Sequence, residues 1–205
     1  MEPAMATPEQ PLQPHPVLRT RRLDLRPLAP GDASEFHRVC DDPAVRRHLF
    51  DEEPVSVETA GAIIGRSERD FGGGGVGLFG IRRREAGGLI GFCGFFVVEG
   101  IGEPELAYAL LPSCWGRGFV TEAALAVAGH ALDAAGSRRV LVATDRANTA
   151  SVRVIERLGA RPLGKLAPGF PGVDYFEIGP AAPLTGAAGR VEPERGGVRP
   201  IPHLG

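Results

Sequence analysis

One segment limits the possible fold more than any other. An apolar run, Leu106-Ala107-Tyr108-Ala109-Leu110-Leu111, halts at Pro112 and passes through Gly116-Arg117-Gly118. It then opens into Phe119-Val120-Thr121-Glu122 and an alanine-rich stretch through Ala128. A strand, a glycine turn and a new helix follow one another within about two dozen residues. The first N–H groups of a helix have no intrahelical partner, and the helix dipole adds partial positive charge there. Such a terminus suits a phosphate or pyrophosphate. Glycine matters because a Cβ would hold the ligand away from the backbone. The plainer alternative is an ordinary tight turn between strand and helix.

Two familiar phosphate motifs do not fit. A Walker loop needs Lys-Ser/Thr after its second glycine, and none follows Gly118. The dinucleotide fingerprint needs glycine where Thr121 stands and an acidic residue at the ribose spacing. Composition narrows the field further. The 205 residues suit one domain with two short appendages, and 43% hydrophobic content suffices for a core. No run approaches a membrane span, and Met1-Glu2-Pro3-Ala4 leads into no signal-peptide apolar region. A net charge of −2 gives no electrostatic case for nucleic acid. Arginines at 19, 21, 22 and 26 and at 82–84 read as solvated strand ends and a hairpin turn. Cys40, Cys93 and Cys114 have no metal-ligand spacing, so a reduced, cytoplasmic setting without a metal is expected. His37, His48 and His130 fall on helical stretches and read as structural or solvated. Residues 1–16 and 180–205, rich in Pro, Gln or Gly without apolar periodicity, read as flexible tails around a domain at 17–179.

Within that domain, Arg22 to Leu28 alternates as a strand, and Asp32 with Glu35 three residues on reads as a capped helix start. A second helix starts from a Ser56 cap, and Gly72 to Gly75 reads as a mobile loop. Val76 to Ile81 and Leu89 to Val98 form a hairpin turning at Glu85 to Gly88, and Glu105 to Leu111 is the next strand. A helix over 119–135 stops at Gly136, and Arg139 to Thr144 is a buried strand. Thr149 to Leu158 is a helix ending at Gly159, and Leu163 to Lys165 and Asp174 to Ile178 close the domain. The order β-α-α-β-β-β-α-β-α-β-β implies an α/β fold, a mixed sheet flanked by helices.

The turn Trp115-Gly116-Arg117-Gly118-Phe119-Val120-Thr121-Glu122-Ala123 resembles the acetyl-CoA pyrophosphate loop of the GNAT N-acetyltransferases, in wording closest to their RimJ/RimL-like branch. Three further segments are similar to that branch in order: Thr20 to Leu28, Leu89 to Gly94, and Asp145 to Ala160 with its Asn-x-x-Ser helix and Leu-Gly corner. Ser113 stands where the wider superfamily usually has Gln or Arg, which leaves phosphate binding mainly to the backbone. The resemblance implies an acetyl-CoA-dependent transfer to a primary amine, either a protein N-terminus or a small molecule, with a homodimer left open. It implies that Trp115, Gly116, Arg117, Gly118, Phe119, Val120 and Thr121 hold the pyrophosphate, the Arg117 side chain being equally able to face solvent. It further implies that a backbone N–H near Ala109 or Leu110 faces the thioester oxygen, and that Asn148 bonds the pantetheine arm or caps its helix.

For the chemistry, Glu105 is the candidate base and Ser151 the candidate proton donor near the sulfur. Tyr108 is at most a pocket residue, and Cys114 lacks a neighbouring histidine that would make it a nucleophile. Many GNAT members carry a tyrosine acid where Ile155 stands, and that departure keeps a non-catalytic acyl-CoA-binding module open as the alternative. Acceptor choice is expected to reside in the first two helices, the Gly72–Gly75 loop and the last hairpin.

Overall fold

A computed structural model describes residues 16–49, 53–73, 75–97, 102–133, 136–166 and 172–180. The strands are β1 (Leu18–Arg19), β2 (Leu23–Pro27), β3 (Leu78–Arg83), β4 (Leu89–Val97), β5 (Pro104–Leu110), β6 (Val140–Asp145), β7 (Arg161–Gly164) and β8 (Val173–Ile178). The helices are α1 (Ala33–Cys40), α2 (Pro43–Arg46), α3 (Val57–Gly72), α4 (Phe119–Asp133) and α5 (Thr149–Arg157). All eight strands join one sheet in the order β1-β2-β3-β4-β5-β6-β8-β7. Every neighbouring pair is antiparallel except β5 and β6, which run parallel. The mixed sheet flanked by helices is the architecture that the element order implies.

The sheet has a core on each face. On one, α1 and α3 bring Phe36, Val39, Ala60 and Ile64 against Leu78, Leu89, Phe92 and Ala109. On the other, α4 and α5 bring Ala123, Val127, Val154 and Ile155 against Leu23, Phe79, Cys93, Leu106 and Val142. Helix α4 is apolar on all sides, and every residue from Ala123 to Ala128 is buried. Each large side chain removed from water in this way contributes about 2 kcal/mol.

Several local expectations shift. The two-residue β1 and the four-residue α2 carry too few positions for a periodic signal, and the sequence order omits both. Asp32 does precede α1, but its side chain makes no cap bond; one oxygen accepts from Ala29 N at 3.1 Å and the other from Arg82 Nη2 at 2.6 Å. Helix α3 does begin after Ser56, whose Oγ accepts from Thr59 N. It continues through Gly72, so the expected loop begins later; Gly74 lies outside the described residues. Strand β3 sits two residues further along than Val76 to Ile81. Val98, Ala134 and Ala135, at the ends of a predicted strand and helix, lie outside the described residues, as do the tails apart from Pro16 and Pro180.

The feature that makes the site is a failure of pairing. Strand β5 stays in register with β4 over its whole length, from Val97↔Pro104 to Gly91↔Leu110. Strand β6 stays with β8 just as fully, from Val140↔Ile178 to Asp145↔Val173. Between themselves β5 and β6 pair only at Glu105↔Leu141 and Leu106↔Val142, then part. Just below the paired end, Arg139 donates to both carboxylate oxygens of Glu103, its Nε at 3.0 Å. Both side chains are partly exposed, so this fork is worth about 1 kcal/mol at most, yet it pins the closed end of the wedge.

Close approach of β4 and β5 fixes one edge of that wedge. A Cβ on Gly91 would lie 2.1 Å from the Ala109 carbonyl oxygen. Gly91→Ala is expected to destabilise the fold by about 3 kcal/mol, read as a lowered denaturant midpoint. An unchanged midpoint would mean that this pairing is looser than described.

Candidate active site

Where β5 and β6 separate, a cleft of about 740 Å³ opens. Its walls come from β5 (Glu105 to Leu110), the loop and first turn of α4, the end of β6, the start of α5, and the α2 segment from Ala44 to Leu49. Backbone alternation settles which groups face the gap. Leu111 N donates to Ile90 O at 2.9 Å, so in this antiparallel pair Ala109 also points to β4. The N–H groups of Tyr108 and Leu110 therefore face the wedge. Of the two residues expected near the thioester, Leu110 has the free N–H. Its carbonyl accepts the Trp115 indole N–H at 2.7 Å, which ties the loop to the end of β5.

The glycine loop has the conformation that its sequence requires. Gly116 and Gly118 have φ of 70° and 72°, a region costly to any residue with a Cβ. Space beside Gly116 is open to at least 4 Å. Trp115, Gly116, Gly118, Phe119, Val120 and Thr121 line the cleft with Leu110 and Asn148. Arg117 does not line it; its side chain is exposed, while its backbone carbonyl accepts from Arg22 Nη1 at 2.9 Å.

At the opposite wall the alternation of β5 divides two chemistries. Glu105 shares a face with Leu141, Ala143 and Tyr175 across the neighbouring strands. Its carboxyl has no hydrogen bond or ion pair among the described residues, and burial pushes its pKa up to about 7. Tyr108 lies on the other face, and its hydroxyl is 2.9 Å from Ser151 Oγ. Burial pushes the Tyr108 phenol up to about 12, against the effect of the Ser151 bond and with small contributions from Cys93 and Glu105. Ser151 is buried in the first turn of α5, and its N–H donates to Asn148 Oδ1 at 3.0 Å. Asn148 is thus the N-cap of α5, as its position before Thr149 suggests. Ile155 is 1% exposed in the α4–α5 core and lines no part of the cleft.

The family profile of the acetyltransferase (GNAT) domain matches residues 22–161, well over half of the chain. This chain belongs to the GNAT acetyltransferase family. It is 28% identical over 152 residues to the uncharacterized N-acetyltransferase YoaA of Bacillus subtilis, covering 74% of this chain and 86% of that one. An acetyltransferase structure from Agrobacterium tumefaciens superposes with a TM-score of 0.71 at 24% identity, covering 84% of this chain and 99% of that one. RimL, a ribosomal L7/L12 alpha-N-protein acetyltransferase solved with coenzyme A, shares the fold with a TM-score of 0.67 at 18% identity, covering 80% and 97%.

Three features of the cleft and its loop carry no clear mark in the sequence. Tyr108, read as a pocket residue at most, bonds Ser151 across 43 positions. His48 lies beyond the end of α2 and lines the cleft, its Nδ1 3.3 Å from Asp145 Oδ2. Arg22 reaches the loop from the bend just before β2, 95 positions away. The available signal was Glu122, a carboxylate directly before the apolar run Ala123 to Ala128, which demands a buried partner. Among the described residues, no cluster is arranged to hold a metal and no helix is long and apolar enough to cross a membrane. Asn148→Ala is expected to cost about 1 kcal/mol of stability through the lost cap, measured by urea unfolding. No loss would show that Ser151 is held by something else.

Proposed function

We propose that this chain is an acetyl-CoA-dependent N-acetyltransferase of the RimJ/RimL-like type, moving an acetyl group directly to a primary amine. The observation that carries the reading is the β5–β6 wedge, with a glycine-rich anion loop at one side and Glu105 and the Tyr108–Ser151 pair on its walls. The residues present fit the co-substrate: an open cradle at Gly116, helix N–H groups for phosphates, and inward backbone N–H groups for an extended amide-bearing arm. Arg153 and Arg157 add positive charge for a polyanion along α5. RimL, which shares the fold, is described in complex with coenzyme A, in keeping with this assignment.

Acetyl-CoA supplies an activated thioester, so positioning and modest acid–base help suffice for the protein's part. The N–H groups from Trp115 to Thr121 hold the pyrophosphate. Leu110 N–H, beside the loop, serves the pantetheine arm, and Tyr108 N–H, which also faces the wedge and lies nearer Glu105 and Ser151, is the fixed donor for the developing oxyanion. Asn148 uses Oδ1 as a cap, which leaves its amide NH2 for the pantetheine arm. Glu105, on the α2 side, takes the amine proton directly or through water; a pKa near 7 suits a base at neutral pH. Tyr108, the more acidic hydroxyl, donates to Ser151 and so frees the Ser151 proton to point at the departing sulfur. Ala44, Arg47, His48 and Leu49, in and just after α2 rather than in the two helices expected from the sequence, line the acceptor side. Three buried free thiols fit a cytoplasmic setting.

Glu105 must be ionised to act as base, so kcat/KM should be low below pH 7 and rise through an apparent pKa near 7. Glu105→Gln should abolish that limb and lower turnover about tenfold to a hundredfold, with CoA affinity preserved. A retained limb would remove Glu105 from the mechanism. Gly118→Val should cost about 1–2 kcal/mol at its positive φ and weaken CoA binding at least tenfold by calorimetry while the domain stays folded. Unchanged affinity would contradict the loop assignment. Ile155, buried where many relatives carry a tyrosine acid, favours one second reading, an acyl-CoA-binding module without turnover. Tight CoA binding with no thiol release across an amine panel would select it.

A further inference from the structure

An ion pair between buried Glu122 and half-exposed Arg22, beneath the glycine loop, has no part in the chemistry above. Glu122, in the first turn of α4, is 8% exposed. Its Oε1 accepts from Thr20 Oγ1 at 2.6 Å and from Arg22 N at 2.9 Å, and its Oε2 accepts from Arg22 Nε at 2.6 Å. Burial opposes its charge, yet those bonds and the Arg22 charge hold its carboxyl below the usual range. The Arg22 guanidinium is held on two more sides. It lies 4.6 Å from the centroid of the Phe119 ring, and its Nη1 donates to Arg117 O. Its Nη2 would be 3.6 Å from a Cβ on Gly118, directly under the loop.

The bond to Arg117 O has a geometric consequence. A trans peptide is planar, with its C=O and N–H pointing in opposite directions. Drawing the Arg117 carbonyl toward Arg22 therefore turns the Gly118 N–H away from Arg22, toward the cleft that Gly118 lines. We propose that Arg22, oriented by Glu122, is a positioning residue that sets the Arg117–Gly118 peptide for anion binding and keeps a fixed cation beneath it. This rests on the acetyl-CoA reading of the loop and extends it to a residue 95 positions from Arg117 and 100 from Glu122 in sequence. Arginine is required because one planar fork must serve a carboxylate, a carbonyl and an aromatic face together.

The test compares two acetyl donors, acetyl-CoA and S-acetylpantetheine, which share the thioester but differ in the phosphates. Arg22→Gln should raise the acetyl-CoA KM about tenfold, the scale of one charge-assisted hydrogen bond, and move kcat much less. The preference for acetyl-CoA over S-acetylpantetheine in kcat/KM should fall by the same factor. Arg22→Lys should recover only part of it. Arg22→Gln leaves Glu122 without its cation, so Arg22→Gln with Glu122→Gln is measured alongside, after thermal melts confirm folding, and should show the same loss of preference. Equal losses with both donors in a folded variant, or an unchanged acetyl-CoA KM, would overturn the proposal. If the wild type binds CoA but acetylates no amine, the same comparison is made on calorimetric affinities for CoA and pantetheine. A wild type that does not bind CoA defeats the site reading itself, and the Arg22 proposal with it.

Discussion

The structure depends on a divided allegiance between two parallel strands. Strand β5 follows β4 and strand β6 follows β8, and a twisted sheet cannot satisfy both without opening between them. Two residue pairs hold the closed end, with the Arg139–Glu103 fork just below. Beyond them, backbone donors on β5 are left without strand partners, and such groups require a ligand or water. The sheet thereby leaves a slot edged by unpaired main-chain groups. Side chains near it, Glu105 on one face and Tyr108 on the other, are sorted by the two-residue period of the strand.

In the proposed function, the same wedge assigns binding and chemistry to different kinds of group. The proposed anion end is backbone: glycines at positive φ, a helix N-terminus, and a loop tied down by Trp115 on one side and Arg22 on the other. The proposed reacting end is side chain: a carboxylate without a protein partner among the described residues, its pKa raised by burial, and a hydroxyl pair seated on the α5 cap. The scaffold between them is α4, whose apolar surface admits one carboxylate near its start, and that carboxylate is fully answered by Thr20 and Arg22.

Much of this was legible in the sequence because it is local. Periodicity located most of the strands and helices, the Gly116-Arg117-Gly118 turn marked the loop, and Asn148 before Thr149 marked the α5 cap. What was not legible is pairing across distance. Asp32 had every mark of a helix cap, but Arg82, fifty positions on, competes for its carboxylate. The Tyr108–Ser151 and Arg22–Glu122 contacts join residues far apart in the chain, and no local pattern encodes them. Glu122 alone advertised itself, as a charge in an apolar helix. Alternation along β5 correctly separated Glu105 from Tyr108, but which N–H groups were free waited on the register with β4.

The most direct measurement is a crystal structure of the chain with bound acetyl-CoA. The pantetheine arm is expected between β5 and β6, with the pyrophosphate on the N–H groups from Trp115 to Thr121 and the thioester further down the wedge, between Tyr108 N–H, Glu105 and Ser151. Acetyl-CoA bound elsewhere, or a wedge closed by continuous β5–β6 pairing, would contradict that placement.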